Sequence, residues 1–170
     1  MKKIIFLCLL LPFIFPVQSF SQSYNDFTLS DLDNNEITLS KLLEKGPVMV
    51  SFWATWCTPC KEELKRLQPL YEKYKDQGFT YLAVNQDNQK SIAKVKSFIN
   101  ANSYSFPVVL DAEKSIFEAY SGIGMPYSLI IDKNKKIVAK HLGYVTGDDE
   151  KIEKEIKEAL KNQNIKEDTK

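Results

Sequence analysis

The chain has 170 residues, 44% of them hydrophobic and 26% charged, with a formal charge of +1. That balance suits one globular domain with a substantial core and excludes a disordered or repeat-built chain. Residues 1–21 hold two of the 23 basic residues and none of the 22 acids, so the remainder carries −1 and offers no basic surface to nucleic acid.

Residues 1–21 differ in kind from the rest: Lys2 and Lys3, an apolar run, then small residues at Val17, Ser19 and Ser21. Charged, apolar and small-residue regions in that order predict a secretory signal, cleaved after Ser19 or Ser21. The apolar stretch over 4–17 is shorter than the roughly 17 to 25 residues that cross a bilayer, and Pro12 and Pro16 interrupt it, which weighs against a retained anchor. Cys8 lies inside the run behind Leu7 rather than a small residue, so it is read as leaving with the signal and not as a lipid attachment point. The expected organisation is a signal over 1–21, one domain over 22–163 and a polar tail over 164–170. The expected location is the periplasm or cell envelope of a bacterium.

From Phe27 the sequence DFTLSDLDNNEITLS alternates around a turn at Asp33, Asn34 and Asn35, which predicts a hairpin. PVMVSFWA, 47–54, is a continuous apolar run of the kind found in a central strand buried on both faces, and it leads straight to Cys57. Leu64, Leu67, Leu70, Tyr71 and Tyr74 fall three or four apart, predicting an amphipathic helix over 59–77, bent at Pro69 and closed by Gly78. A strand over 79–85, a helix over 91–99, a strand over 106–110 and a short helix near 113–120 follow. YSLIID and KIVAKHLGY then form two strands whose connection is too tight for a crossover, so they should be antiparallel. Ile152, Ile156, Ala159 and Leu160 mark a closing helix, after which KNQNIKEDTK should fray. The sum is an α/β fold, a central mixed β-sheet flanked by helices, with an N-terminal β-hairpin.

After loss of the signal, Cys57 and Cys60 are the remaining thiols. As a structural staple they would close too short a loop to remove much entropy from the unfolded chain. As a metal site they lack ligands, since one CxxC and the distant His141 supply at most three of the four that a closed zinc site needs; His141 is read instead as surface on a late strand. A reversible dithiol remains, and neither a metal nor a cofactor is expected. At a strand-to-helix junction Cys57 meets the unpaired amides and dipole of the helix start, which favour its thiolate, while Cys60 lies one turn further in. Cys57 is therefore the expected attacking thiol and Cys60 the resolving one. Pro59 suits the first helical turn. The bend GIGMP before a buried strand suggests a cis bond between Met125 and Pro126.

WCTPC followed by GMPYSLIID resembles the thioredoxin superfamily, and the frame from DFTLSDLDNNEITLS through FWATWCTPCKEEL looks like its extracytoplasmic TlpA/ResA-like thiol-disulfide oxidoreductases. The resemblance spans nearly all of 25–160 and implies a thioredoxin-like fold. It also implies that backbone at Met125 and Pro126 pairs with substrate beside the dithiol, with Trp56 as a partly exposed flank of the site. Trp53 is read with equal weight as core or contact surface. Where cytoplasmic thioredoxins carry a buried aspartate, this chain has Ser51; the extracytoplasmic branch often has an acid at the position of Glu63, implying a proton acceptor near the dithiol. The alternative for Glu63 is a solvated helix charge.

The function so implied is thiol-disulfide exchange with protein substrates, in the reducing direction, for example in cytochrome c maturation. Its partners would be protein thiols and disulfides and a membrane electron donor or acceptor, the protein itself acting as a monomer. Two alternatives are a peptide-binding module without redox turnover and a peroxiredoxin-like peroxidase. The latter family carries threonine three residues and proline seven residues before its attacking cysteine, where this chain has Ala54 and Val50.

Overall fold

Side-chain alternation on three neighbouring strands organises the molecule, whose computed structural model describes residues 24–164. In β3 (Val48–Trp53), β4 (Thr80–Asn85) and β6 (Tyr127–Ile131), successive residues point to opposite faces of one sheet. Met49, Trp53, Tyr81, Ala83 and Ile130 enter one core; Val48, Val50, Phe52, Leu82, Val84, Leu129 and Ile131 enter the other. Both faces are covered, so the strands read as near-continuous apolar runs, interrupted by the buried Ser51 and Ser128.

Two parallel crossovers build one side of this sheet. α2 (Thr58–Tyr74) links β3 to β4, and α3 (Ile92–Ala101) links β4 to β5 (Val108–Leu110). β6 and β7 (Ile137–Leu142) complete it antiparallel, giving the order β5-β4-β3-β6-β7. The first core packs under α2, α3 and α5 (Asp148–Asn164), through residues such as Leu64, Leu67, Val95, Ile99, Ile152 and Ile156. Glu153 joins α5 to α2, accepting from Tyr74 Oη at 2.6 Å and from Lys73 Nζ at 2.8 Å. The second core lies under α1 (Leu39–Leu43), α4 (Ser115–Ala119) and the hairpin of β1 (Thr28–Ser30) and β2 (Glu36–Thr38). The hairpin closes this side at the β5 edge, where Asp31 bridges to Val109. This is the thioredoxin-like fold that the resemblance implies.

Several boundaries differ from expectation. Leu39–Leu43 form a helix not foreseen, because five residues are too few to display a period even though Leu39 and Leu43 bury on one side. β5 starts at Val108, two residues late, since Pro107 has no N–H for a ladder. α5 runs through Asn164, so Lys161–Asn164 are helical rather than frayed. The expected signal, and the expected tail apart from Asn164, lie outside the described residues. Among the described residues no helix is long and apolar enough to cross a membrane.

α2 continues past Pro69 to Tyr74 and tightens into a 3-10 turn over Lys75–Gln77. Gly78 ends it at φ +95°, and a Cβ there would stand 2.4 Å from the Lys45 carbonyl oxygen. Left-handed backbone and a collision with main chain both oppose any side chain. Gly78→Ala is expected to cost about 2 kcal/mol, read as a lower urea midpoint at unchanged slope.

Candidate active site

β3 ends at Trp53, and α2 begins after four intervening residues. Cys57 occupies the helix N-cap: its N–H donates to the Ala54 carbonyl at 3.0 Å, and its Sγ accepts from the Cys60 N–H at 3.3 Å. An N-cap sulfur facing a free amide is the arrangement that stabilises a thiolate once the pair is reduced. Cys57 and Cys60 are joined as a disulfide, their Cα atoms 5.3 Å apart. Cys60 is wholly buried, whereas Cys57 keeps 5% of its surface open beside Trp56, which is 62% exposed. Trp53 is core, its ring 5.5 Å from that of Phe98, which resolves the two readings of this residue.

The sheet brings the second stretch to the same place. Tyr127 pairs with Phe52 in the antiparallel register, so the residues before Tyr127 run past the end of β3 toward the dithiol. Met125 packs against the core cluster that contains both cysteines, and its bond to the buried Pro126 is cis. Gly143, just beyond β7, donates its N–H to the Pro126 carbonyl at 2.8 Å.

Glu63 is not a solvated helix charge. It is 1% exposed, one helical turn beyond Cys60, and lies against the face of the sheet onto which alternation turns Ser51 and Tyr81. Ser51 Oγ donates to Glu63 Oε1, as does Tyr81 Oη at 3.0 Å. Glu63 Oε2 is buried without a partner among the described residues. Burial pushes the carboxyl up from 4.5 to about 7, against the pull of the two hydroxyls and with a smaller push from Asp148. Burial and the Glu63 charge also drive the Tyr81 phenol well above 10, so it remains a donor. Ser51, placed where an aspartate was looked for, thus meets an acid supplied by the helix. Tyr81 was missed in the sequence, although the period of two that sets Ser51 on the α2 face sets Tyr81 there as well.

His141 needs correction. Its side chain is 11% exposed, and Nε2 lies 2.7 Å from Glu155 Oε2 on α5, so it ties β7 to a helix rather than lying on open surface.

Known proteins resemble this chain in sequence and fold. The AhpC/TSA family profile matches residues 21–140. A thiol-disulfide oxidoreductase ResA of Bacillus thuringiensis (strain Al Hakam) is 39% identical over 122 residues, covering 71% of this chain and 68% of the relative. Among solved structures, one from Chlorobium tepidum assigned as a thiol:disulfide interchange protein DsbE superposes with a TM-score of 0.75 at 31% identity, over 81% of this chain and 95% of that one. The thioredoxin domain of a thiol-disulfide oxidoreductase from Bacteroides vulgatus gives 0.68 at 30% identity, over 80% and 96%. A dithiol at the head of a helix, on this sheet and with these relatives, has one consistent reading: the chain belongs to the AhpC/TSA family of thioredoxin-fold proteins, within its ResA-like thiol-disulfide oxidoreductases.

Proposed function

We propose that this enzyme is an exported reductant of protein disulfides, with Cys57 as attacking thiol and Cys60 as resolving thiol. The observation that carries the proposal is the N-cap position of Cys57, whose sulfur faces the Cys60 amide at the open side of the pair. Reduced Cys57 attacks a substrate disulfide and forms a mixed disulfide; Cys60 then attacks Cys57 Sγ, which releases the substrate thiol and closes the Cys57–Cys60 bond. Glu63 takes the Cys60 proton, a role supported by its burial one turn away and by its raised affinity for protons. Trp56 and the backbone at Met125 and Pro126 line the substrate, which docks as extended chain.

The reducing direction is supported by what surrounds the sulfurs. Thr58 and Pro59 place no cation between them, and a buried carboxyl nearby makes a thiolate more costly. Both features favour the disulfide over the dithiol and so lower the potential. Export is supported by residues 1–21, and the domain is assigned to 22–163, followed by a short polar tail over 164–170. In an exported compartment the electrons must come from a membrane donor, and disulfides of apocytochrome c are a fitting substrate class. Peroxide reduction is disfavoured by Ala54 and Val50. Equilibration of the pair with glutathione tests the direction: a potential well below about −200 mV is expected, and one near the roughly −120 mV of strong oxidants would overturn it.

A further inference from the structure

Asp87 lies two residues beyond the end of β4, buried, and turns its carboxylate on the segment leading into α2. Its Oδ2 accepts from the Thr55 N–H at 2.7 Å and from Asn85 Nδ2 at 2.9 Å; its Oδ1 accepts from Thr55 Oγ1 at 2.7 Å. Its own N–H donates to Asn85 Oδ1 at 3.0 Å. Asn85 is the last residue of β4, opposite Trp53 in the parallel register, and the next residue, Gln86, donates its N–H to the Trp53 carbonyl at 2.8 Å. The clamp is therefore mounted on the two central strands and grips the chain two residues before Cys57.

We propose that Asp87 is a positioning residue for the dithiol, holding the N–H and hydroxyl of Thr55 so that the reduced Cys57 sulfur stays over the start of α2 and within reach of Cys60. In the oxidised protein the covalent bond holds the two sulfurs together. On reduction that tether is lost, and noncovalent anchors alone decide how often the thiols meet. A looser approach lowers their effective concentration, which makes the disulfide harder to close and easier to reduce. It also draws Cys57 away from the amides that favour its thiolate, which by itself favours closure; at a pH below the thiol's own value little thiolate is present, so the lost effective concentration sets the sign. A carboxylate suits the task because both oxygens accept, whereas an amide could offer only one acceptor to the two Thr55 donors.

The inference rests on Cys57 and Cys60 being the redox pair, and the test separates the two readings. Glutathione disulfide takes two electrons from the protein dithiol; its S–S bond breaks as the Cys57–Cys60 bond forms, and the two protons go to glutathione. The equilibrium constant for this closure, and the pH profile of Cys57 alkylation, are measured for the full chain and for Thr55→Val, Thr55→Ser and Asp87→Asn. Thr55→Val and Asp87→Asn are expected to lower the constant about 3- to 10-fold and to move the alkylation profile toward the free-thiol value of about 8.5. Thr55→Ser, which keeps both donors, should restore the wild-type values. If Asp87→Asn does not fold, the near-isosteric Thr55→Val decides alone. Lower melting temperatures with an unchanged constant and an unchanged profile would overturn the role and leave Asp87 as support for the core. Failure of the wild type itself to equilibrate with glutathione would sink the redox-pair reading and this inference with it.

Discussion

Cys60→Ser is expected to leave the protein joined to its substrate through Cys57, as a mixed disulfide that persists for minutes to hours, the lifetime of uncatalysed rearrangement. Cys57→Ser is expected to trap nothing and to lower exchange with protein disulfides at least about a thousandfold, since a serine hydroxyl at neutral pH is a poor nucleophile. The asymmetry follows from position. Cys57 is the sulfur with surface left open, next to the exposed Trp56, and its Sγ accepts from the Cys60 N–H in the first turn of α2. Cys60 is sealed inside the core and can reach only a sulfur already delivered to Cys57. Non-reducing electrophoresis and mass mapping of the adduct read the outcome. An adduct through Cys60 in the Cys57→Ser protein would reverse the assignment.

Glu63→Gln is expected to stabilise the oxidised protein above neutral pH and to do little below pH 4.5. The Glu63 carboxyl is raised in the folded state from 4.5 to about 7, so between these values the folded protein holds a proton that the unfolded chain has released. Unfolding then releases a proton, and wild-type stability falls as pH rises through the window. Glutamine escapes the penalty. The gap between variant and wild type should open from about pH 4.5 and level off above pH 7, at about 3 kcal/mol. The oxidised protein is the right sample because neither cysteine titrates in it. Urea midpoints at pH 4, 6 and 8 measure the effect, and a difference independent of pH would show that folding leaves the proton affinity of Glu63 unchanged. In the reduced protein the same substitution should slow resolution by Cys60, because a glutamine cannot accept its proton.

Much of the site was legible because its signals are local. Cys57 and Cys60 sit where an apolar strand pattern gives way to a helical one, and a proline in the first helical turn marks that junction without reference to anything distant. The same holds for GIGMP, whose glycines and proline announce a bend. Glu63 was half legible: the resemblance and its spacing from Cys60 favoured a role at the dithiol, but a glutamate among Glu62, Lys65 and Arg66 carries no local mark that sets it apart from a solvated charge. Asp87 gave no signal, since an aspartate after a strand is ordinary loop chemistry until Thr55 is found against it.

The sequence by itself determined the order of strands and helices apart from α1, the junction that carries the dithiol and the resemblance that names the chemistry, because periodicity and turn residues act over a few positions. Tertiary structure alone decided which groups face one another. Ser51 and Glu63 are 12 residues apart, Thr55 and Asp87 are 32 apart, and His141 meets Glu155 across the gap between a strand and a helix. A strand's alternation says which face a side chain takes; strand order and register say what lies across from it. That second fact comes only when β4 and β6 settle on either side of β3, and it turns an ordinary helix glutamate into a buried acid with a proton to trade.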